Sequence, residues 1–256
     1  MSTKNPQNKD FILSKMFDLA QDIFGAIAFV LAIVQGVTLF IPAKIFLVIS
    51  SVILVAECIS SYSKSFFFDK GHRIREVGLI DNSFNEKRIP NYNSEPYYNN
   101  ASILKEKIKL LANIHENSLF TSRIAEKMSF PYYFFSGIAL LFFVIKLFMS
   151  GMDDYSSLLL SFIVSSSLFD RAIKLYSLKK TSEDIYEKIN EICSRYEKNS
   201  VETNVILPQI IEVLLLYENA IFESKINLSE RIFCRLNSSL SKEWTDIRNS
   251  YLIYKK

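Results

Sequence analysis

The stretch IFGAIAFVLAIVQGVTLFI, residues 23–41, runs from Ile23 to Ile41 without a single charge, and its reading decides the fold. A helix of about 20 apolar residues is what the hydrocarbon core of a bilayer requires. A buried helix of a soluble protein is the other reading, and the length argues against it. The preceding residues balance Lys4, Lys9 and Lys15 against Asp10, Asp18 and Asp22, and no small-residue cleavage site follows. The run therefore reads as a retained anchor rather than a signal peptide.

Three more apolar runs follow. Residues 45–62, IFLVISSVILVAECISSY, begin just after Pro42, Ala43 and Lys44, so the first two runs read as a tight helical hairpin with Glu57 as the one acid in the second. Residues 130–145, FPYYFFSGIALLFFVI, set Pro131 at an early helical position and Tyr132 and Tyr133 at an interfacial aromatic belt. Lys146 can snorkel, which extends this span through Leu147, Phe148 and Met149. Residues 155–169, YSSLLLSFIVSSSLF, are short and serine-rich. Alone they suit a re-entrant or buried helix. Paired with the third run across residues 150–154, they read as a membrane helix facing protein, because small and hydroxylated residues favour close helix contact in lipid.

Charge gives the orientation. Of the 30 Lys and Arg residues, only Lys44 and Lys146 lie in or near the two short turns. Lys64, Lys70, Arg73 and Arg75 follow the second run, and Arg171, Lys174, Lys179 and Lys180 crowd the end of the fourth. The positive-inside rule then places both termini and the central segment in the cytoplasm. The expected protein is an all-α membrane protein of two transmembrane helical hairpins with a cytoplasmic helical bundle. Residues 1–62 form an N-terminal interfacial helix and the first hairpin, and 63–129 a cytoplasmic loop and helix. Residues 130–170 form the second hairpin, and 171–256 a cytoplasmic helical region.

Outside the apolar runs the period is helical. Leu104, Ile108, Leu111, Ile114, Ile124 and Met128 recur at helical spacing, in a helix expected to lead straight into the third run. Ile185, Ile189, Ile192 and Tyr196 form a second stripe, as a continuation of the fourth run. Residues 205–222, interrupted by Glu212 and Glu218, are too short for a fifth span and read as a buried bundle helix. Leu228, Ile232, Leu236, Leu240, Trp244, Ile247 and Tyr251 mark a last amphipathic helix.

Composition excludes several classes. The 256 residues are 49% hydrophobic, with 21 phenylalanines, a combination that fits a few spans plus a sizeable aqueous part. A net charge of +3 gives no bulk attraction for nucleic acid, so direct DNA binding is not expected. Cys58, Cys193 and Cys234 are far apart and odd in number, against a disulfide framework or a zinc site. The six glycines form no phosphate loop, and neither G-x-S-x-G nor H-E-x-x-H occurs. His72 and His115 stand apart in sequence from cysteines and read as packing residues. The chain is therefore read as a non-enzyme without metal or cofactor. Glu57 is the one intramembrane acid, and such acids often mark a polar path or an interhelical partner, although this one lies near a span end. Ser157, Ser161 and Ser165 form a stripe, read either as tight packing or as the lining of a wet path in an oligomer.

The polar stretch REVGLIDNSFNEKRIPNYNSEPYYNN, residues 75–100, lies between the hairpins and reads as an ordered loop wedged against helices, since Pro90 and Pro96 forbid a continuous helix and Phe84, Tyr92, Tyr97 and Tyr98 are many aromatics for a linker. Its pattern, R-x-x-x-L-I-D-N-S-F at Arg75 and 79–84, then Ser94, Glu95 and Y-Y-N-N at 97–100, resembles the bacterial SMODS-associating four-transmembrane effector family. Related membrane effectors accompany nucleotide-signalled antiphage systems and retrons. Asn85 and Pro96 stand where that family carries glycine.

The resemblance implies an inner-membrane toxin that stays silent until a phage-linked trigger. It then assembles as a homo-oligomer and disrupts the bilayer, giving abortive infection. Two triggers are compatible with it: a cyclic nucleotide, or release from a reverse transcriptase–msDNA complex. Candidate trigger or partner contacts are Arg73, Arg75, Asp81, Asn82, Ser83, Phe84, Tyr97, Tyr98, Asn99 and Asn100, with Lys87 and Arg88 adding positive charge. A non-toxic membrane scaffold or a small transporter or channel subunit stands as the alternative, although a transporter usually has more spans and broken helices.

Overall fold

A computed structural model describes residues 7–38, 41–89, 100, 102–103, 106–152, 156, 167–199 and 205–255. Among these residues the chain is all-helical, with no strand. Its six helices are α1 (Gln7–Thr38), α2 (Ala43–Phe84), α3 (Glu106–Ser150), α4 (Ser167–Asn199), α5 (Leu207–Ser224) and α6 (Glu230–Ser250), followed by a 3-10 turn at Leu252–Tyr254. The chain forms two compact units. One comprises Met1–Asp10, Asp69–Met128 and Leu175–Lys256, and the other Phe11–Phe68 and Ser129–Lys174. The unit boundaries fall inside α1, α2, α3 and α4.

Two expectations about helix limits need correction. Residues 75–84 are not loop but the last turns of α2, because Leu79 is fully buried there and Ser83 Oγ donates back to Leu79 O at 2.8 Å. The helix ends only at Asn85, which takes the left-handed conformation with φ 53°, while Glu86 N–H donates to Asp81 O at 3.0 Å. That is a Schellman ending, and asparagine is the residue besides glycine that tolerates its left-handed position. Pro131 does not start a helix either. It lies inside α3, where it has no N–H to give the carbonyl of Lys127. α3 closes at Gly151, whose φ of 69° suits a residue without Cβ.

In the Asp69-containing unit α3 is central. From Ile108 to Ala125 it is buried nearly all round, polar residues included, rather than along one stripe. The Ile185, Ile189 and Ile192 stripe of α4 is buried in this core with Leu175 and Leu178. α6 starts at Ser229, whose Oγ accepts from Ile232 N–H at 3.4 Å, and turns Leu240 and Trp244 fully inward. α5 is not buried throughout as expected: Ile210, Val213, Tyr217 and Ile221 face in, whereas Ile211, Leu215, Leu216 and Phe222 are exposed.

The other unit has few fully buried side chains. Ala28, Ala32, Phe46 and Ala139 form its core, ringed by Phe29, Leu31, Ile53, Leu54, Phe142, Phe143 and Phe169. Small alanines let the helices approach closely enough for the phenylalanines to fill the gaps between them. Phe11 against Phe68, Phe17 stacked on Phe67, and Ser14 Oγ donating to Lys64 O at 3.1 Å join α1 to α2. At the other end Gln35 closes the break between these helices. Its Nε2 donates to Ile41 O at 2.6 Å, and its Oε1 accepts from Ile41 N–H at 3.1 Å.

One side chain ties the remaining helices of this unit. Arg171 of α4, 5% exposed, donates to Asp18 and Asp22 of α1 and to Tyr132 Oη of α3, over whose ring its guanidinium lies at 5.1 Å. Lys64 of α2 adds a 2.7 Å ion pair to Asp18. Two cations thus face two carboxylates. Truncation as Arg171→Ala leaves the acids paired to Lys64 alone, and is expected to lower the unfolding free energy of the purified protein by about 3–5 kcal/mol. Arg171→Lys should recover only part of this, because an ammonium lacks the planar fork that reaches three acceptors. Equal stability of all three proteins in thermal unfolding would contradict this account.

Candidate functional site

Three of the candidate contacts, Asn82, Ser83 and Asn100, converge on Asn113, a residue that no spacing in the sequence singled out. Asn113 Nδ2 donates to Asn82 Oδ1 at 3.0 Å and to Ser83 Oγ at 3.2 Å. Its Oδ1 accepts from Asn100 Nδ2 at 2.9 Å. The same Asn100 amide group donates to Glu116 Oε2 at 2.8 Å, and Asn100 Oδ1 accepts from Trp244 Nε1 at 3.2 Å. Asp81 holds the chain that leaves α2, its Oδ2 accepting from the backbone N–H groups of Arg88 at 2.9 Å and Ile89 at 3.4 Å. The end of α2, position 100, α3 and α6 are joined in one buried polar knot. Asn82, Ser83, Asn100 and Asn113 are all buried, and their side chains hydrogen-bond to one another.

The cationic candidates lie apart. Arg75 points to Glu218 of α5, with Nη2 to Oε2 at 2.5 Å, and its guanidinium lies 5.8 Å from the centroid of the Tyr217 ring. Tyr217 Oη in turn meets Thr121 Oγ1 at 2.9 Å. His72 Nε2 is 3.6 Å from the same Glu218 oxygen, so the carboxylate read as a break in an apolar helix is the inward partner of two motif-side residues. Arg88 pairs with Glu86 at 2.5 Å, and Arg73 and Lys87 are exposed. Phe84 is half-buried. Tyr97, Tyr98 and Asn99 lie outside the described residues, as do Ser157, Ser161 and Ser165. Glu57, read as an intramembrane acid near a span end, is buried and lines a groove with Gln21 and Ser61.

A second cluster secures the C-terminus. His115 Nδ1 and Tyr254 Oη are 3.0 Å apart, and Cys193 Sγ donates to the same oxygen at 3.4 Å. The His115 ring packs against Tyr186 at 4.8 Å and edge-on to Trp244 at 5.2 Å. His115 does have a cysteine nearby in space, reached through the last tyrosine of the chain. Burial lowers its pKa to about 3 and raises the Cys193 thiol to about 12, so both are neutral at physiological pH. A buried thiol of that kind is a poor nucleophile. Burial, then the Arg75 charge, lowers His72 to about 4. Burial raises Glu116 to about 7 against the Asn100 hydrogen bond and the charge of Arg248, and it raises Glu218 against Arg75. Among the described residues no group of three His, Cys, Asp or Glu side chains is placed to hold a metal ion.

Among the described residues two helices, α2 and α3, are long and apolar enough to cross a membrane, over Lys44–Phe84 and Glu106–Met149. Comparison of the chain with family models, curated proteins and solved structures gave no match.

The buried groups set a pH dependence. Glu116 binds its proton more tightly folded than unfolded, so its contribution to stability falls as pH rises from about 4.5 through about 7, and Glu218 acts in the same sense. His72 and His115 bind protons less tightly when folded, so their contribution falls as pH drops below about 6.5. Thermal unfolding of the purified protein should show falling stability from pH 6.5 to 8, and Glu116→Gln should flatten that limb while still accepting from Asn100. An unchanged slope in the variant would contradict the assignment to Glu116.

Proposed function

We propose that the protein is a multi-pass inner-membrane effector of bacterial antiphage defence. In this reading its two apolar hairpins cross the bilayer, its charged helices and both termini stay cytoplasmic, and a phage-linked trigger makes it oligomerise and break the permeability barrier. One observation carries the membrane part. The most apolar windows of α2 and α3 are only 22% and 11% buried, so the protein itself covers little of their surface. Phe130, Phe148 and Met149 are among the most exposed side chains, an arrangement that water disfavours and hydrocarbon accommodates. Ser51 and Ser60 of α2 donate to backbone carbonyls one turn back, and Gln35 of α1 donates to Ile41 O, so these polar groups have partners inside the protein.

The defence part is supported by the motif at Arg75, 79–84 and 97–100. The action is physical, with no bond made or broken, and the motif knot serves to hold the cytoplasmic helices together. A cyclic nucleotide or release from a reverse transcriptase–msDNA complex remains the class of trigger. Inducing the gene in bacteria while following a voltage-sensitive dye tests the reading. The lone protein, or the protein with its genomic neighbours after phage is added, should collapse the membrane potential before lysis. A potential that stays intact until lysis in both settings, with the protein present in the membrane fraction, would contradict the effector role and favour a scaffold or transporter.

A further inference from the structure

α1 and α2 frame a groove of about 490 Å³ whose lining includes Gln21, Glu57, Cys58, Ser61, Tyr62 and Ser65. Its chemistry is one-sided. Glu57 is 6% exposed and Gln21 9% exposed, yet both line the groove. Gln21 Oε1 is buried and accepts no hydrogen bond among the described residues. Leaving a buried acceptor without a donor is unfavourable, so the site suits an occupant that donates. Among the described residues no Lys, Arg or His lines the groove, Glu57 is its one acid, and Ser61, Tyr62 and Ser65 bring three hydroxyls able to accept as well.

Position narrows the occupant. Residues 45–56 of α2 carry no charge, Glu57 is the first, and Lys64 follows. On the membrane reading of the preceding subsection, on which this inference rests, the groove lies where hydrocarbon gives way to lipid headgroups. We propose that it binds a primary ammonium, with Glu57 as counter-charge and Gln21 Oε1 as second acceptor. A primary ammonium brings three N–H donors and a positive charge, whereas the quaternary ammonium of choline has no N–H to give. Phosphatidylethanolamine is the bilayer source of this group, and a dissolved amine is the other.

Cys58 reports on the groove, since it is exposed there while Cys193 is buried. The full chain carrying Cys234→Ser is reconstituted in vesicles of phosphatidylcholine alone or of equal parts phosphatidylcholine and phosphatidylethanolamine, and the rate of Cys58 alkylation by N-ethylmaleimide is measured. If headgroups fill nine grooves in ten, labelling should slow about tenfold with phosphatidylethanolamine. Glu57→Gln should abolish the difference, and Gln21→Leu should reduce it if Glu57→Gln does not fold. A Cys58→Ser chain that keeps Cys234 should label equally in both vesicles. Ethanolamine dissolved over phosphatidylcholine vesicles separates the sources, because slowing there identifies a free amine as sufficient. Equal Cys58 rates in all three conditions, or protection that survives Glu57→Gln, would overturn the proposal. Flotation of the same vesicles reads membrane insertion separately: a chain that does not float defeats the membrane reading, and ethanolamine protection in detergent still tests the groove.

Discussion

Apolar surface that the polypeptide leaves uncovered sets the terms for the unit built on residues 11–68 and 129–174. Val48, Val52, Phe134, Leu141 and Phe148 face away from protein along α2 and α3. In water such a surface drives association. In hydrocarbon it is neutral, but every polar group there then needs an internal partner. Part of the polar inventory of the unit answers that demand. Gln35 satisfies both backbone groups of Ile41, Ser51 and Ser60 donate to carbonyls one turn back, and Arg171 with Lys64 balances Asp18 and Asp22. The proposed membrane role thus draws on two independent features, an outward apolar face and an inward polar economy.

The other unit depends on a different interaction. Asn113 holds Asn82, Ser83 and Asn100 at once, and Asn100 passes the connection on to Glu116 and Trp244. Buried amides placed this way are worth more than their separate bonds, because losing one strands the others. The motif that resembles an effector family therefore has a mechanical meaning in this chain. It fastens the end of α2 to α3 and α6, whereas Arg73, Lys87 and the apolar side of α5 are exposed.

The parts of this arrangement legible in the sequence are those with a period or a length. The charge-free runs, the stripe over Ile185, Ile189 and Ile192, and the inward line ending at Leu240 and Trp244 repeat at helical spacing, so they announce themselves locally. Pairings between distant positions have no such signature. Glu218 meets Arg75 across 143 positions, and Arg171 meets Asp18 across 153. A buried acid in an apolar helix was the one available hint for Glu218, since such an acid requires a cation. The α2 ending was misread because D-N-S favours turns as readily as it closes a helix, and burial of Leu79 decided the outcome. Pro131 misled in the opposite sense, as proline at the head of an apolar run usually marks a start and here interrupts a helix already under way.

The most direct test of the central claim is the sidedness of labelling by a membrane-impermeant maleimide. Two single-cysteine chains serve, one with Lys44→Cys in the first turn and one with the native exposed Cys234. In spheroplasts the account predicts that Lys44→Cys reacts from outside while Cys234 reacts only after permeabilisation, with the order reversed in inverted vesicles. Reaction of both residues from the same face would contradict a bilayer crossed by α1 and α2, and with it the membrane effector reading.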